Sequence, residues 1–192
     1  MVLANILSSY KSGIPNDLPP ALIPQIKVYI STTDISLLAQ ALNTLALLLE
    51  LSPALTFPEV EHSLLNDIYN VTHSPLVSGV ALESLFRFYG SLVQADNQIA
   101  THVVPNLVIS AEKVAKADSS SSNVAKCIAQ VIKSQQGVAA GTIAEYSKNI
   151  KACWSFFVRS FCSQYALQKT SKAKPSLVNL SLLIIGELGR IM

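Results

Sequence analysis

Apolar positions along this chain recur with a helical period rather than the alternation of strands. Between 34 and 51, Leu37, Leu38, Ala41, Leu42, Leu45, Leu48 and Leu49 trace an i, i+3, i+4 stripe, and Ala46 and Leu47 widen it. A helix apolar nearly all round is one buried among neighbours. The same reading along the chain predicts helices in pairs. First helices are expected over about 19–31, 57–72, 99–117 and 138–150, and second helices over about 34–51, 75–94, 121–135 and 176–190. A partial helix near 3–11 closes a repeat whose first half is missing. The first helices carry Glu59, Glu61, His62, Asn66 and Asp67, then Glu112, Lys113 and Lys116, which predicts one solvated side.

Start signals fit this division. Pro19-Pro20, Pro58 and Pro75 lie near expected first-turn positions, where a missing N–H costs little. Asp34 and Ser74 suit the cap role, with a side-chain oxygen accepting from orphan backbone N–H groups. The seven glycines are too few for a loop-rich fold, and the nine prolines fall mainly between periodic segments.

The segments also repeat. Leu22-Ile23-Pro24-Gln25-Ile26 recurs as Val103-Val104-Pro105-Asn106-Leu107, and Ala41-Leu42 with Leu45 recurs as Ala81-Leu82 with Leu85. The offsets are 81 and 40, two readings of one period near ~40 residues, in the range of HEAT and armadillo repeats. The expected fold is therefore all-α, a right-handed α-solenoid of HEAT-type antiparallel helix pairs. One array of about four pairs spans 1–192. Terminal repeats normally show a polar outer face. The last helix, with Leu177, Leu180, Leu182, Leu183, Ile184 and Ile185, does not, so the array is expected to continue beyond this chain.

One stretch breaks the rhythm. Segment 151–175 lies within the last pair and holds Trp154, Phe156, Phe157 and Phe161, followed by Lys169, Lys172 and Lys174. Three readings stay open for it. It is an added amphipathic helix packed on the stack, an exposed loop whose aromatics and Arg159 anchor a partner, or translated non-coding sequence.

Composition narrows the function classes. Half of the residues are apolar and 14% are charged, against about 25% in ordinary soluble domains. Much surface must then be buried, in the chain or against something else. The net charge is +2 and the lysines and arginines are scattered, which speaks against tracking a phosphate backbone. Cys127, Cys153 and Cys162 are an odd number without a Cys-x-x-Cys pair, as expected of reduced thiols. No basic leader precedes an apolar run at the N-terminus, and the apolar segments at 35–51 and 177–191 are interrupted by Gln40, Asn43, Glu50, Glu187 and Arg190. A cytoplasmic or nuclear location is the expectation.

Catalytic signals are weak. His62, His73 and His102 have carboxylates nearby in sequence but no accompanying nucleophile motif. Cys153, Cys162 and His102 have the wrong spacing for a closed zinc site. Gly186-Glu187-Leu188-Gly189 is no phosphate loop; inside an apolar helix, such small residues are expected to let helices approach. Asn70-Val71-Thr72 and Asn179-Leu180-Ser181 match the glycosylation acceptor pattern but fall in predicted helices. Ser119, Ser120, Ser121 and Ser122 read as a turn with a cap, with phosphorylation at a helix N-terminus as the alternative. No enzyme, cofactor or metal is expected.

Three stretches carry a resemblance. Leu180-Ser181-Leu182-Leu183-Ile184-Ile185-Gly186-Glu187-Leu188-Gly189-Arg190 is the most specific. His73-Ser74-Pro75-Leu76-Val77-Ser78-Gly79-Val80-Ala81-Leu82 and Val124-Ala125-Lys126-Cys127-Ile128-Ala129 add weight by their order. Together they resemble the cullin-associated and neddylation-dissociated protein family, over about 33–190 and apart from the aromatic segment. The resemblance implies a stretch from beyond the middle of a long non-catalytic HEAT solenoid. Such solenoids wrap cullin–RING ligase scaffolds that lack the ubiquitin-like modifier and promote exchange of substrate adaptors in SCF complex assembly. It carries no contact residue onto this chain. The rival reading is a generic HEAT scaffold, such as a transport receptor or a phosphatase scaffold subunit.

Overall fold

The structure is a computed structural model that describes residues 6, 7, 9, 14–114, 120–138, 179, 180, 182–184, 186, 187 and 190. The expected helix over 138–150, except its first residue, and segment 151–175 lie outside the described residues. Among the described residues the chain is helical, with no strand. The helices are α1 (Leu18–Lys27), α2 (Ile35–Leu51), α3 (Pro53–Ser63), α4 (Leu65–Thr72), α5 (Gly79–Ala95), a 3-10 turn (Asn97–Ile99), α6 (Ala100–Val114) and α7 (Ser120–Val138). Residues 179, 180, 182–184, 186, 187 and 190 are also helical. The chain divides into two compact units, Met1–Asp96 and Asn97–Met192.

In the first unit, α1 begins with prolines in its first turn, as the missing N–H groups allow. It ends at Lys27 in two tight turns, Tyr29 N–H to the Ile26 carbonyl and Ile30 N–H to that of Lys27. Helix α2 begins where Asp34 accepts from the N–H groups of Ser36 (2.9 Å) and Leu37 (3.0 Å). Such a cap is worth about 1 kcal/mol.

The next first helix differs from expectation. It starts at Pro53, with Ser52 alone separating it from α2, and Pro58 lies in its interior rather than its first turn. It is also broken at Leu64 (φ −118°). Ser63 Oγ donates to the Glu59 carbonyl at 2.6 Å, a back-bond that bends helices. An internal proline marks all three described first helices: Pro24 in α1, Pro58 in α3 and Pro105 in α6. Each removes one i→i−4 bond from a helix that packing must then hold. The two motif copies found in the sequence occupy matching places, with Ile23 and Ile26 buried around Pro24, and Val104 and Leu107 around Pro105.

Ser74 and Pro75 do not start a helix either. The Ser74 carbonyl accepts the Val77 N–H at 3.2 Å, and its Oγ accepts the Leu76 N–H at 3.3 Å. This is a turn, with Pro75 at the position its fixed φ suits. Helix α5 starts four residues later, at Gly79, whose φ of +52° an L side chain rarely adopts.

The core of this unit forms where α2 packs along α5, its most extensive helix contact. Leu38, Leu42, Leu45 and Leu49 are buried, as are Leu85, Phe88, Tyr89 and Leu92. Two hydrogen bonds set the register: Asn43 Nδ2 to Ser84 Oγ (2.9 Å) and Ser91 Oγ to Glu50 Oε1 (2.9 Å). Both join residues 41 apart, so the two helices run in the same direction, displaced by one sequence period. Arg87 adds a bidentate pair to Glu50. The first helices α1 and α3 also contact one another, and Lys27 reaches the Ser63 carbonyl (3.0 Å) and Asp67 (3.5 Å).

In the second unit α6 packs against α7. Val103, Val104 and Leu107 are buried, as are Val124, Ala125, Cys127, Ile128, Val131 and Ile132. Farther on, Leu180 and Ile184 are buried at i, i+4 spacing. Gly186 is not a packing contact, contrary to expectation, because a Cβ there would meet nothing within 4 Å.

Gly79 gives a direct check. A Cβ there meets no neighbour, so only the backbone conformation resists substitution. Gly79→Ala should lower the unfolding free energy by about 1–2 kcal/mol in denaturant titration. An unchanged or raised midpoint would remove the positive-φ entry to α5.

Candidate functional site

Among the described residues the candidate chemical groups do not converge within either unit. In the first unit His62 is exposed, at the solvated end of α3, while His73 is buried just beyond α4. In the second, His102 is exposed and Cys127 is fully buried. Burial pushes the Cys127 thiol far up, with Lys126 nearby only partly offsetting it, so this sulfur is held as an inert thiol. Cys153 and Cys162 lie outside the described residues. No group of three or more His, Cys, Asp or Glu among the described residues could hold a metal ion. No described helix is long and apolar enough to cross a membrane.

The acceptor-like sequences are also explained locally. Thr72 is buried, donates from Oγ1 to the Ile68 carbonyl (2.7 Å) and lies 3.0 Å from the Tyr89 hydroxyl. Asn70 is exposed, but the hydroxyl its acceptor pattern needs is locked in the core. Asn179 is exposed, and Ser181 lies outside the described residues. Helix α7 begins at Ser120, inside the serine run; Ser119 lies outside the described residues.

What the first unit does offer is a groove of about 830 Å³. Helix α1 supplies Leu22 and Ile26, the turn after it supplies Tyr29, and α2 supplies Leu37, Gln40 and Leu47. The first turns of α5 supply Val80 and Ala81. Leu37, expected in the buried stripe of α2, is 42% exposed on this side, with Tyr29 at 49% and Val80 at 69%. The polar lining is neutral, from amides and hydroxyls such as Gln25, Asn43 and Ser78, except for Arg87. That guanidinium is paired with Glu50. Apolar walls with a few oriented polar groups are what a binding surface requires.

Charge separates the two units. Met1–Asp96 has three basic and eight acidic residues, a net of −5, while Asn97–Met192 has eleven and four, a net of +7. The whole-chain value of +2 conceals this division. A count by halves exposes it from sequence alone.

Comparison with protein-family models finds no match, and no curated protein matches this sequence.

His73 makes the fold sensitive to pH. Desolvation lowers its pKa below the ordinary 6.5, so the folded state binds a proton less readily than the unfolded one. Stability is therefore fully present above about pH 6.5 and declines as pH falls through the folded pKa. Urea unfolding at pH 7.5 and 5.5 should show a smaller drop for His73→Gln than for the unaltered chain. Equal drops would mean that His73 is not a source of the acid sensitivity.

Proposed function

We propose that the chain is a stretch of a right-handed HEAT-type α-solenoid acting as a non-catalytic protein-binding scaffold. The observation that carries this reading is the parallel packing of α2 and α5 at a displacement of 41 residues. Corresponding residues of consecutive repeats touch, as stacked repeats require. Further support comes from first helices meeting first helices and from the internal prolines Pro24, Pro58 and Pro105.

The more specific reading is that this scaffold binds cullin–RING ligases lacking the ubiquitin-like modifier and takes part in adaptor exchange during SCF complex assembly. It rests on the resemblance carried by residues 73–82, 124–129 and 180–190. Several of those residues have structural reasons of their own. Gly79 takes a positive φ, His73, Val77 and Ala81 are buried at the entry to α5, and Leu180 and Ile184 are buried farther on. Exposed Leu182 and Leu183 of the same motif remain open to contact.

A solenoid gathers affinity from a few anchors spread along its surface, so this chain alone should bind weakly. Titration of purified 1–192 with unmodified and modified cullin–RING complexes should give weak binding that the modifier abolishes. Equal binding of both forms would contradict the cullin reading, as would selective capture of transport GTPase or phosphatase subunits, which favours the generic scaffold. Nanomolar binding by 1–192 would contradict a surface spread over many repeats.

A further inference from the structure

The charges around the first-unit groove indicate what would fill it. At one end, Asp34 caps α2 directly beside Ile35, Ser36 and Leu37 of the lining. Along α5, Glu83 is three positions after Val80 and four before Arg87, which places it on the same helix face, and it is exposed. Arg87 does not offset these carboxylates, because Glu50 already pairs with it at 3.0 Å. The other described cation of this unit, Lys27, is taken up by Asp67 and the Ser63 carbonyl. The mouth is therefore negative, the walls are apolar, and the unit around them carries a net charge of −5.

We propose that this groove docks a cationic amphipathic helix of a partner protein. Its apolar side chains would rest on Tyr29, Leu37 and Val80, and its Lys or Arg residues would face Asp34 and Glu83. An anionic segment would be repelled on entry, and like charges brought together at an interface cost affinity and on-rate. The described part of the unit is helical and presents no sheet edge, so recognition falls to side chains laid into a groove. A second copy of this chain is the weaker fit. Standard interfaces bury about 800 Å² on each partner, whereas three exposed anchors in one groove suit a single element. The inference stands apart from the cullin reading and holds for a scaffold of either kind.

The test uses the full 192-residue chain and two fluorescent peptides of helical spacing, one of leucine and lysine, the other of leucine and glutamate. Fluorescence anisotropy should show binding of the lysine peptide, weakened by salt, and none of the glutamate peptide. Asp34→Asn combined with Glu83→Gln removes both charges and keeps a capping side chain; it should weaken binding roughly fivefold. Tyr29→Ser with Val80→Ser should weaken it about tenfold or more. Val28→Ser, which is 75% exposed and outside the lining, should leave it unchanged. Equal binding of the two peptides overturns the proposal, as does an effect of Val28→Ser equal to that of the groove variants. So does self-association of the chain that Tyr29→Ser with Val80→Ser abolishes, which would assign the groove to a second copy. The sign preference is read on the unaltered chain, so the test survives a variant that fails to fold.

Discussion

The contact between α2 and α5 is the constraint on which the first unit depends. Both helices bury apolar side chains from end to end along it, and complete burial of one leucine is worth about 2 kcal/mol. Hydrophobic contact alone does not choose a register, because a leucine-rich surface accepts several offsets. The polar pairs choose it. Asn43 meets Ser84 and Glu50 meets Ser91, and a slip would leave these groups without partners beside the core. The ion pairs contribute less. Arg87 and Glu50 are partly exposed, and such a pair is worth at most about 1 kcal/mol.

Fixing that register also produces the groove. With the buried stripe of α2 turned toward α5, its Leu37 and Gln40 side faces out, beside Tyr29 of the turn after α1 and Val80 of α5. The same residues thus belong to an apolar helix by sequence and to a binding surface by position. One set of apolar residues thus builds the core of this unit and another lines an open surface.

The helix content, α2 to within a residue of its expected ends, the Asp34 cap and the period near 40 were legible in the sequence because each has a local cause. Two of the misread boundaries came from proline. Pro58 and Pro75 look like helix starts, yet Pro58 sits inside α3 and Pro75 in a turn. Proline fixes only φ and a missing donor, and the first turn of a helix, a helix interior held by packing, and a β-turn can all accept that. Gly79 marks the true start of α5, a signal that a proline-led reading passes over. The groove was not legible, because the exposure of Leu37 depends on where α1 and α5 lie. Its charge setting was legible, but only when the two halves are counted separately.

The claim that consecutive repeats pack in parallel, one period apart, is tested most directly by double-mutant cycles on the two polar pairs. Alanine substitutions at Asn43 with Ser84, and at Glu50 with Ser91, should show coupling of about 0.5–1.5 kcal/mol in denaturant unfolding. The exchanged pairs, Asn43 with Ser91 and Glu50 with Ser84, should show none. Coupling absent from the matched pairs, or equal in the exchanged ones, would contradict the register and the stacked-repeat account built on it.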